Sequence, residues 1–473
     1  DKSIAESLNE YFISIGAKLA EEIDAHSNNR YDDLTDASGV VENDTPPKNL
    51  FHFSTISVNS VASRLNKLLP SKSTGLDTIP ARVLKITANI IAPSLTYIFN
   101  KSLESGIYVD EWKLAKIIPI YKSEDRKKCE NYRPISILPI ISKVFESEIF
   151  GQLYNYLNKN SLLSDRQCGF RPKYGTNAPL IEMCDLWLNH IDKGELNGVV
   201  FLDIRKAFDS INHKILIKKL KNQFAICDNE LNWFSSYLNN RLQVCCVNGQ
   251  TSAPKTIVNG IPQGSILGPL LFLLYINDLP DYLENSTPFL YADDTQISSS
   301  SDNYDSLIEN LNCDLYNIHK WLSDNKLQHN LKKCKVMFIG SPHQLSKIGD
   351  KPVLINNAPI PRTGAFTCLG VELDEKLNWE KHIDSICKKV SAGIGIIRRI
   401  KPYVPSKTLQ DIFNGLVMPY FDYCSPLWDT CGKGPQDKLQ KFQNRAARVI
   451  SGVNYETRSS DVLESLRWET LDK

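Results

Sequence analysis

The sequence lacks several patterns that would assign the protein to a particular class. No apolar run approaches the roughly 18 residues of a membrane-spanning helix, and the N-terminus carries no signal-peptide pattern. The 12 cysteines include no Cys-x-x-Cys pair and no Cys/His group with zinc spacing, which argues against a structural zinc site. Their scattered positions are typical of reduced cysteines in an intracellular protein, not of a disulfide framework. Internal repeats and low-complexity tracts are also absent.

What remains is the composition of an ordinary globular protein. The 473 residues suffice for two to four domains, and 42% of them are hydrophobic and 23% charged. The net charge of +1 hides an asymmetry, because residues 1–50 hold 4 basic against 11 acidic side chains and residues 388–448 hold 11 basic against 4 acidic. We expect phosphate contacts in the basic block. The chain begins at Asp1, so we expect it to be part of a longer protein.

Hydrophobic periodicity predicts a chain rich in both helices and strands. Helices are predicted over 3–23, 57–69, 80–105, 142–158, 212–222 and 305–323, and helical patterns dominate from 380 onward. Strands are predicted at 117–121, 199–202 and 336–339. The polar segment 25–50 is typical of a linker, and the turn-rich segment 342–362 with its four prolines is a candidate boundary.

Two acidic runs each follow a short apolar stretch. Asp203 ends the run 199–202, which is typical of a buried central strand. Asp293 and Asp294 follow the apolar run 289–292 at a predicted hairpin tip. Asp203 alone would also fit a turn cap, but a carboxylate buried beside such a strand is costly unless it is paired or holds a metal. Three carboxylates converging from two strands can hold two divalent cations about 4 Å apart, the arrangement used for in-line phosphoryl transfer.

A turn punctuated by glycine and proline, residues 260–265, lies between the acidic runs. Its Pro262-Gln263-Gly264 centre is suited to close backbone approach by a ligand. As a lone tripeptide this motif is weak, because any turn could carry it. Its position between the acidic runs, and before the apolar helix-like stretch 266–276, gives it weight.

In this order, the carboxylate strand, the Pro-Gln-Gly turn and the Tyr-Ala-Asp-Asp hairpin resemble the palm of reverse transcriptases. Segments 420–428 and 443–448 further resemble the region that follows the polymerase in non-LTR (LINE-type, jockey-like) retrotransposons. The resemblance implies an α+β, right-hand polymerase fold with fingers, a palm with an antiparallel sheet, a helical thumb and a helical N-terminal extension. We accordingly expect an acidic helix and linker at 1–50, the extension at 51–114, the fingers and palm at 115–371, and a basic helical thumb at 372–473.

The same resemblance assigns roles to individual residues. Asp203, Asp293 and Asp294 are the expected catalytic residues, and they would bind metal together with the backbone carbonyl of Ile204. Asp209 is expected to have a structural role instead.

Six further residues are expected to bind nucleotide. By the resemblance, Lys122 and Arg133 would clamp the triphosphate and Phe208 would lie beneath the sugar. Gln263 would lie against the template or nucleotide, Gly264 would allow close backbone approach, and Lys333 would donate a proton to pyrophosphate. Lys122 also fits a solvated surface lysine, and Phe208 also fits plain core packing. The residues before Lys333 depart from the usual family pattern. Residues 366–371 match the hairpin that grips the primer strand in the family.

One C-terminal helix combines an apolar face with a basic one. At helical spacing the apolar residues are Leu439, Phe442, Ala446 and Val449, and the basic residues are Lys438, Lys441, Arg445 and Arg448. This pattern fits a solvated basic face on a packed helix. It equally fits a thumb helix that tracks the backbone of an RNA–DNA hybrid.

The resemblance implies a nucleotidyltransferase, an RNA-directed DNA polymerase that copies element RNA with two Mg²⁺ ions, with Mn²⁺ as an alternative. The expected partners are an RNA template, a DNA primer and deoxynucleoside triphosphates, and no membrane. No endonuclease pattern appears, so we expect that domain to be missing and the chain to polymerise without nicking a target. The expected location is intracellular, in the nucleus for target-primed synthesis or in the cytoplasm.

Two other functions fit part of the pattern. A catalytically silent or domesticated copy would act as an RNA-binding protein, but all three carboxylates and the Pro-Gln-Gly turn are intact. An RNA-dependent RNA polymerase would share the palm, but Tyr-Ala-Asp-Asp and Phe208 argue against it. Group II intron maturases also share the palm, whereas the C-terminal block here does not resemble theirs.

Overall fold

The computed structural model describes residues 1–27 and 49–471. Its long α-helices alternate with short strands in a mixed α and β architecture. The α-helices are α1 (Lys2–Ser27), α2 (Val58–Asn66), α3 (Ala81–Ile86), α4 (Ala88–Ser105), α5 (Ile140–Lys159), α6 (Asn177–Asp192), α7 (His213–Asn222), α8 (Asp228–Leu238), α9 (Leu267–Ile276), α10 (Tyr304–Asp324), α11 (Pro342–Leu345), α12 (Glu380–Ile400), α13 (Ser406–Leu416), α14 (Met418–Asp422), α15 (Ser425–Trp428), α16 (Lys433–Ser451) and α17 (Ser459–Leu466). Within the described ranges, no helix is both long and apolar enough to cross a bilayer.

The strands form two larger sheets and two hairpins. They are β1 (Leu114–Tyr121), β2 (Tyr132–Ile137), β3 (Leu196–Asp203), β4 (Arg241–Val247), β5 (Gln250–Thr251), β6 (Lys255–Ile257), β7 (Thr287–Tyr291), β8 (Asp294–Ser301), β9 (Lys335–Ile339), β10 (Leu354–Ile355), β11 (Ala358–Pro359), β12 (Ala365–Cys368) and β13 (Val371–Asp374). Short 3₁₀ helices cover Asp110–Trp112, Cys129–Asn131, Ala207–Ser210, Leu279–Tyr282 and Lys401–Tyr403.

The central sheet is antiparallel, with strand order β7-β8-β3-β9. β3 lies between two neighbours and is buried along its length, which confirms the predicted central strand. Because side chains alternate across a strand, its two faces join two different cores. Val200 and Leu202 pack in one core with α10, and Val199 and Phe201 pack in the other with α6 and α12.

The second sheet has order β2-β1-β4-β5, and β6 also pairs with β4. Its β1–β4 pair is parallel and its other pairs are antiparallel. Helix α1 packs on this sheet, where Leu8 and Phe12 join Ala115, Ile117 and Cys245 in a small core. The N-terminal helix therefore packs against a sheet that contains β1 and β2, the two strands that precede Asp203 in the sequence.

Most predicted elements are confirmed, with shifted ends. The predicted helix at 3–23 is α1, and most of the predicted linker at 25–50 lies outside the described residues. The predicted helix at 80–105 is two helices, because the backbone at Thr87 leaves the helical region and the Thr87 hydroxyl bonds to Val83 O at 2.9 Å. Helices α6 and α8 were not predicted. The segment 342–362 contains α11 and the β10–β11 hairpin, and the proposed domain limits remain predictions.

The cysteines follow the expectation from their spacing. All 12 lie in the described part of the chain, and none of them forms a disulfide there. Eight are buried, among them Cys184, Cys368 and Cys387 in the core beneath the central sheet. These cysteines therefore act as small apolar side chains.

Candidate active site

Asp203 lies at the end of β3, where the central sheet meets solvent. The strand is buried from Leu196 to Leu202, whereas the Asp203 side chain is 35% exposed. Its carboxylate accepts a hydrogen bond from Asn330 Nδ2 at 3.1 Å and lies 3.4 Å from Lys333 Nζ. Two backbone bonds of 2.7 Å, from Asn330 N to Asp203 O and from Arg205 N to Gln328 O, fix the end of the strand. The loop before β9 therefore orients the first carboxylate.

The β7–β8 hairpin brings the second acidic run to the same edge. Asp294 is directly opposite Asp203 in the β3–β8 register and opposite Tyr291 in the hairpin. In the two-residue turn between Tyr291 and Asp294, Ala292 has a left-handed backbone with φ +58°. A non-glycine residue in this conformation costs roughly 1–2 kcal/mol. The surrounding protein must therefore hold the hairpin tip in place.

Gln167 holds this tip, and sequence reasoning did not identify it. Its buried side chain accepts hydrogen bonds from Ala292 N at 2.9 Å and Gly169 N at 2.7 Å. Gly169 lies so close that a Cβ there would be 2.1 Å from Ala292 N. A contact across 125 residues leaves no local signal in the sequence, so no role could be predicted for Gln167.

Replacing Gln167 with leucine is expected to loosen the hairpin tip. The variant keeps the side-chain volume but leaves two buried backbone N–H groups without an acceptor, at a cost of about 1–3 kcal/mol. We expect incorporation of deoxynucleotides to fall at least about tenfold, because catalysis depends on positioning. Primer extension and chemical denaturation measure both effects. The matched control is Gln250→Leu on the exposed strand β5, and equal behaviour of the two variants would contradict the expectation.

The three carboxylates lie close enough to repel one another. Desolvation raises the pKa of both Asp293 and Asp294, and the charge of Asp203 raises it further. Both side chains still reach solvent, so the desolvation is partial. The Lys122 cation lowers the pKa of both residues, but the net direction is upward.

This set of groups fits a divalent cation by its chemistry. Among the residues that the structure describes, no three acidic, histidine or cysteine side chains are arranged so that they could hold a metal ion by themselves. Asp203, Asp293 and Asp294 nevertheless supply hard oxygen donors whose mutual repulsion a divalent cation would relieve. A complete set of protein ligands is not required, because oxygen sites for Mg²⁺ complete their coordination with water and phosphate.

The predicted clamp residues lie on the β1–β2 hairpin. Lys122 follows β1, and its backbone N donates to Asn131 O at 2.9 Å, while Arg133 in β2 is opposite Ile120. Burial lowers the pKa of Lys122, and the nearby charges of Lys333 and Arg133 lower it further. The structure therefore brings all three predicted phosphate-binding cations together beside the carboxylates.

Phe208 lies in the 3₁₀ helix that follows Asp203. Its ring stacks on Phe272 at 4.6 Å and meets the edge of Phe170 at 5.9 Å. The side chain is half-buried, and its backbone carbonyl accepts a bond from Ile261 N at 2.9 Å. The ring is thus held rigidly between α9 and the loop that carries Phe170.

The Pro-Gln-Gly turn packs tightly against two neighbours. Gln263 Nε2 donates to the Asp209 carboxylate at 2.8 Å, and Ser136 N donates to Gln263 O at 2.8 Å. Gly264 has φ +136°, and a Cβ there would lie 2.3 Å from Ser136 O. Burial raises the pKa of Asp209 to about 6. Only glycine fits at 264, and Gln263 is oriented by Asp209, in keeping with the structural role expected for that residue.

A cleft of about 510 Å³ opens beside the carboxylates. Asp203, Asp294 and Lys333 line one side, and the β12–β13 hairpin lines the other. Phe366 of this hairpin stacks on Phe201 of β3 at 3.9 Å. The predicted primer-gripping hairpin therefore borders the same cleft as the predicted catalytic residues.

The four basic residues of α16 differ in their contacts within the protein. Lys441 and Arg445 are exposed, whereas Lys438 pairs with Asp384 at 2.5 Å. Arg448 donates to Thr457 O and Ser459 Oγ and so holds the turn before α17. On the adjacent face Leu439 and Ala446 are buried and Phe442 and Val449 are partly buried, which confirms the predicted apolar face. The nucleic-acid role of all four basic residues remains a prediction.

Comparison with known proteins places these features in one family. The family described as reverse transcriptase (RNA-dependent DNA polymerase) matches residues 122–373, more than half of the chain. The chain is 27% identical to the RNA-directed DNA polymerase from mobile element jockey of Drosophila melanogaster, over 88% of this chain and 46% of that protein. It is also 27% identical to the jockey polymerase of Drosophila funebris, over 86% of this chain and 45% of that protein.

The chain thus spans just under half the length of these jockey relatives. Its matched region contains both acidic runs, the Pro-Gln-Gly turn and the cleft beside them. The family match and the geometry of the site agree, and the chain belongs to the reverse transcriptase family.

Proposed function

We propose that this chain is an RNA-directed DNA polymerase of a non-LTR retrotransposon, which copies element RNA into DNA. The observation that carries this proposal is the proximity of Asp203, Asp293 and Asp294 to the cationic side chains of Lys122, Arg133 and Lys333. A cleft lined by Asp203, Asp294 and Lys333 opens beside them. Carboxylates that bind metal, placed next to cations that bind phosphate, are what phosphoryl transfer requires. In the proposed right-hand polymerase fold, the central sheet is the palm, the β1–β2 region is the fingers and the C-terminal helices are the thumb.

The carboxylates of Asp203, Asp293 and Asp294 and the carbonyl of Ile204 would hold two divalent ions, Mg²⁺ or Mn²⁺. When bound, such ions supply Lewis acidity to a primer 3′-hydroxyl and charge neutralisation to a leaving pyrophosphate. The protein contributes position and charge. Asn330 and the strand pairing orient Asp203, and Gln167 orients the hairpin that carries the other two carboxylates.

The basic side chains bind and orient the triphosphate. Arg133 offers a planar, bidentate donor for phosphate oxygens, and Lys122 supplies a second charge beside it. Lys333, 3.4 Å from Asp203, is positioned to donate a proton to the pyrophosphate as it leaves. Because burial and its cationic neighbours lower the pKa of Lys122, an incoming anion would relieve a repulsion already present in the protein.

Phe208 is the proposed sugar gate. A ring packed between Phe272 and Phe170 would exclude a 2′-hydroxyl by steric contact. On the adjacent turn Gln263 would lie against the template or nucleotide, and Gly264 would allow close backbone approach. Lys441 and Arg445 on α16 would contact the backbone of the RNA–DNA hybrid, with Lys438 and Arg448 contributing after release of their present partners.

Phe208→Ala is expected to weaken selection against ribonucleotides. Removal of the ring opens space beneath the sugar, and we expect the ratio of ribonucleotide to deoxynucleotide incorporation to rise by about tenfold or more. Primer extension with each nucleotide class measures the ratio. Phe150→Ala is the control, because that half-buried ring stacks on Tyr154 within α5. An unchanged ratio in Phe208→Ala would remove the gate from the proposal.

The proposed partners are an RNA template, a DNA primer and deoxynucleoside triphosphates. For target-primed synthesis the proposed place of action is the nucleus. The test of the function is primer extension on poly(rA)/oligo(dT) with Mg²⁺ and deoxythymidine triphosphate. Incorporation by the wild-type chain supports the polymerase. A folded chain that binds this hybrid but incorporates nothing would support an RNA-binding protein instead.

A further inference from the structure

Helix α1 lies across the turn that leads away from Asp203. Glu22 pairs with Arg205 at 3.4 Å, and the ring of Tyr11 lies 5.6 Å from Lys206 Nζ. Gly16 faces the backbone of Asp209. Three points along one helix therefore contact three points along the turn 205–209.

Gly16 makes the closest of these approaches. It is buried, and a Cβ there would lie 2.3 Å from the carbonyl oxygen of Asp209 and 3.1 Å from Cβ of Asn259. Glycine is a poor helix former, yet it occupies the middle of a 26-residue helix. The contact explains its presence, because no other residue lets the helix approach the Asp209 carbonyl this closely.

The position of α1 along the protein surface is fixed by a buried polar contact. Asn9 is fully buried, its Nδ2 donates to Ser252 Oγ at 2.9 Å and Ala253 O at 3.0 Å, and its Oδ1 accepts from Gln243 Nε2 at 2.9 Å. A shift of the helix by one residue would break all three bonds in a buried place. Ion pairs of Glu10 with Lys255 and of Asp24 with Lys326 hold the two halves of the helix. Gly16 is therefore held in register from both sides.

The turn beneath Gly16 carries the residues assigned to nucleotide selection. Asp209 accepts the side-chain bond from Gln263 at 2.8 Å, and the preceding residue is Phe208, whose carbonyl accepts from Ile261 N. A displacement of the Asp209 carbonyl would thus move both the ring of Phe208 and the amide of Gln263. Gly260 approaches the same carbonyl, since a Cβ there would lie 2.9 Å away, so the turn has little room to shift.

We propose that α1 is a part of the nucleotide-selecting site and that Gly16 is a positioning residue for the Phe208–Asp209 turn. This inference rests on the proposed polymerase function. Gly16 touches no substrate. It determines how closely the Phe208–Asp209 turn approaches α1, and through Asp209 it determines the orientation of Gln263.

The test is Gly16→Ala in the full chain, with Gly415→Ala as the matched control. Gly415 also lies in a helix, α13, but its added methyl would meet nothing within 4 Å. Alanine favours the helix at both sites. At residue 16 we expect the KM for deoxynucleotide to rise at least about fivefold and the preference over ribonucleotide to fall by a similar factor. The KM for primer–template is expected to stay within about twofold, because the contacts proposed for the hybrid lie on α16 and not on α1.

A merely structural role would give a different result. If α1 only stabilises the fold, Gly16→Ala would change the fraction of active molecules and leave the nucleotide KM and the sugar preference at their wild-type values, which would overturn the proposal. Should the variant not fold, Tyr11→Leu removes the ring beside Lys206 and keeps an apolar side chain in the small core. A wild-type nucleotide KM in Tyr11→Leu would likewise overturn it.

Amide hydrogen exchange separates this proposal from the polymerase function. Faster exchange at 207–210 and 260–264 in Gly16→Ala, with no change in Gly415→Ala, supports the contact whether or not the chain incorporates nucleotide. Unchanged exchange in both variants overturns it. If the wild-type chain incorporates no nucleotide, only the proposed polymerase function is contradicted. Amide hydrogen exchange would still show whether Gly16 positions the turn.

Discussion

Asp293→Asn is expected to lower deoxynucleotide incorporation by about a thousandfold or more, a loss of roughly 4 kcal/mol of transition-state stabilisation. The substitution keeps the shape of the side chain and removes one charge from the group that would hold the divalent ions. Asp203 on the opposite strand cannot replace it, because its carboxylate, oriented by Asn330, is itself one of the proposed ligands.

Stability is expected to move in the other direction. Desolvation and the charge of Asp203 raise the pKa of Asp293, so the charged carboxylate is disfavoured in the folded protein. A neutral asparagine removes that repulsion, and Asp293→Asn should be at least as stable as the wild type. Activity that falls while stability holds is the pattern of a functional residue and not of a structural one.

Primer extension under single-turnover conditions measures the loss, and thermal unfolding measures the stability. Asp302→Asn is the control, because it makes the same charge change at an exposed residue just beyond β8. Retention of more than about a tenth of wild-type incorporation in Asp293→Asn would refute the metal-binding role, since a ligand of this kind contributes several kcal/mol.

Asp278→Ala is expected to destabilise the protein by about 3–5 kcal/mol. Asp278 is the buried partner of Lys219, whose Nζ lies 2.7 and 2.9 Å from the two carboxylate oxygens. The carboxylate also accepts from Gln223 Nε2 at 2.8 Å and from Trp321 Nε1 at 3.1 Å. Removal of the carboxylate leaves the fully buried Lys219 without a counter-ion. The side-chain N–H groups of Gln223 and Trp321 also lose their acceptor.

The free energy of unfolding from chemical denaturation at neutral pH tests this expectation. Burial already lowers the pKa of Lys219, and the loss of the carboxylate would lower it further. The double variant Lys219→Met with Asp278→Ala removes the stranded charge, so it should lose less stability than Asp278→Ala alone. Glu104→Ala, which breaks an exposed pair with Lys101, should change stability far less than Asp278→Ala. Equal losses in Asp278→Ala and Glu104→Ala would contradict the account.

Local patterns in the sequence predicted the parts of the site that depend on short segments. The apolar run before Asp203 became β3, and the Tyr-Ala-Asp-Asp run became a hairpin tip, because strand alternation and turn spacing are local properties. The apolar spacing of Leu180, Met183, Cys184 and Trp187 in α6 is equally local and could have been recognised. Its helical period is as clear as that of α10.

The contacts that hold the site together were not predictable in this way. Gln167 reaches Ala292 across 125 residues, and Gly16 reaches Asp209 across nearly 200. Such contacts depend on how elements pack, and each side of the contact looks ordinary in its own segment. Arg448 shows the same limit, because helical spacing placed it with the basic residues while tertiary structure bonds it to the turn before α17.

The two-faced packing of β3 has a consequence for how damage to this protein would appear. A slip of β3 by one residue would exchange the side chains that enter the two cores and would turn Asp203 away from Asp294. Such a slip would disrupt the packing of both cores. A molecule that is folded therefore has β3 in the register that places Asp203 opposite Asp294. Mutations in either core should therefore lower the fraction of folded molecules without lowering the catalytic rate of each folded molecule. In a cell, such losses would appear as lower abundance of the protein and not as a slower enzyme.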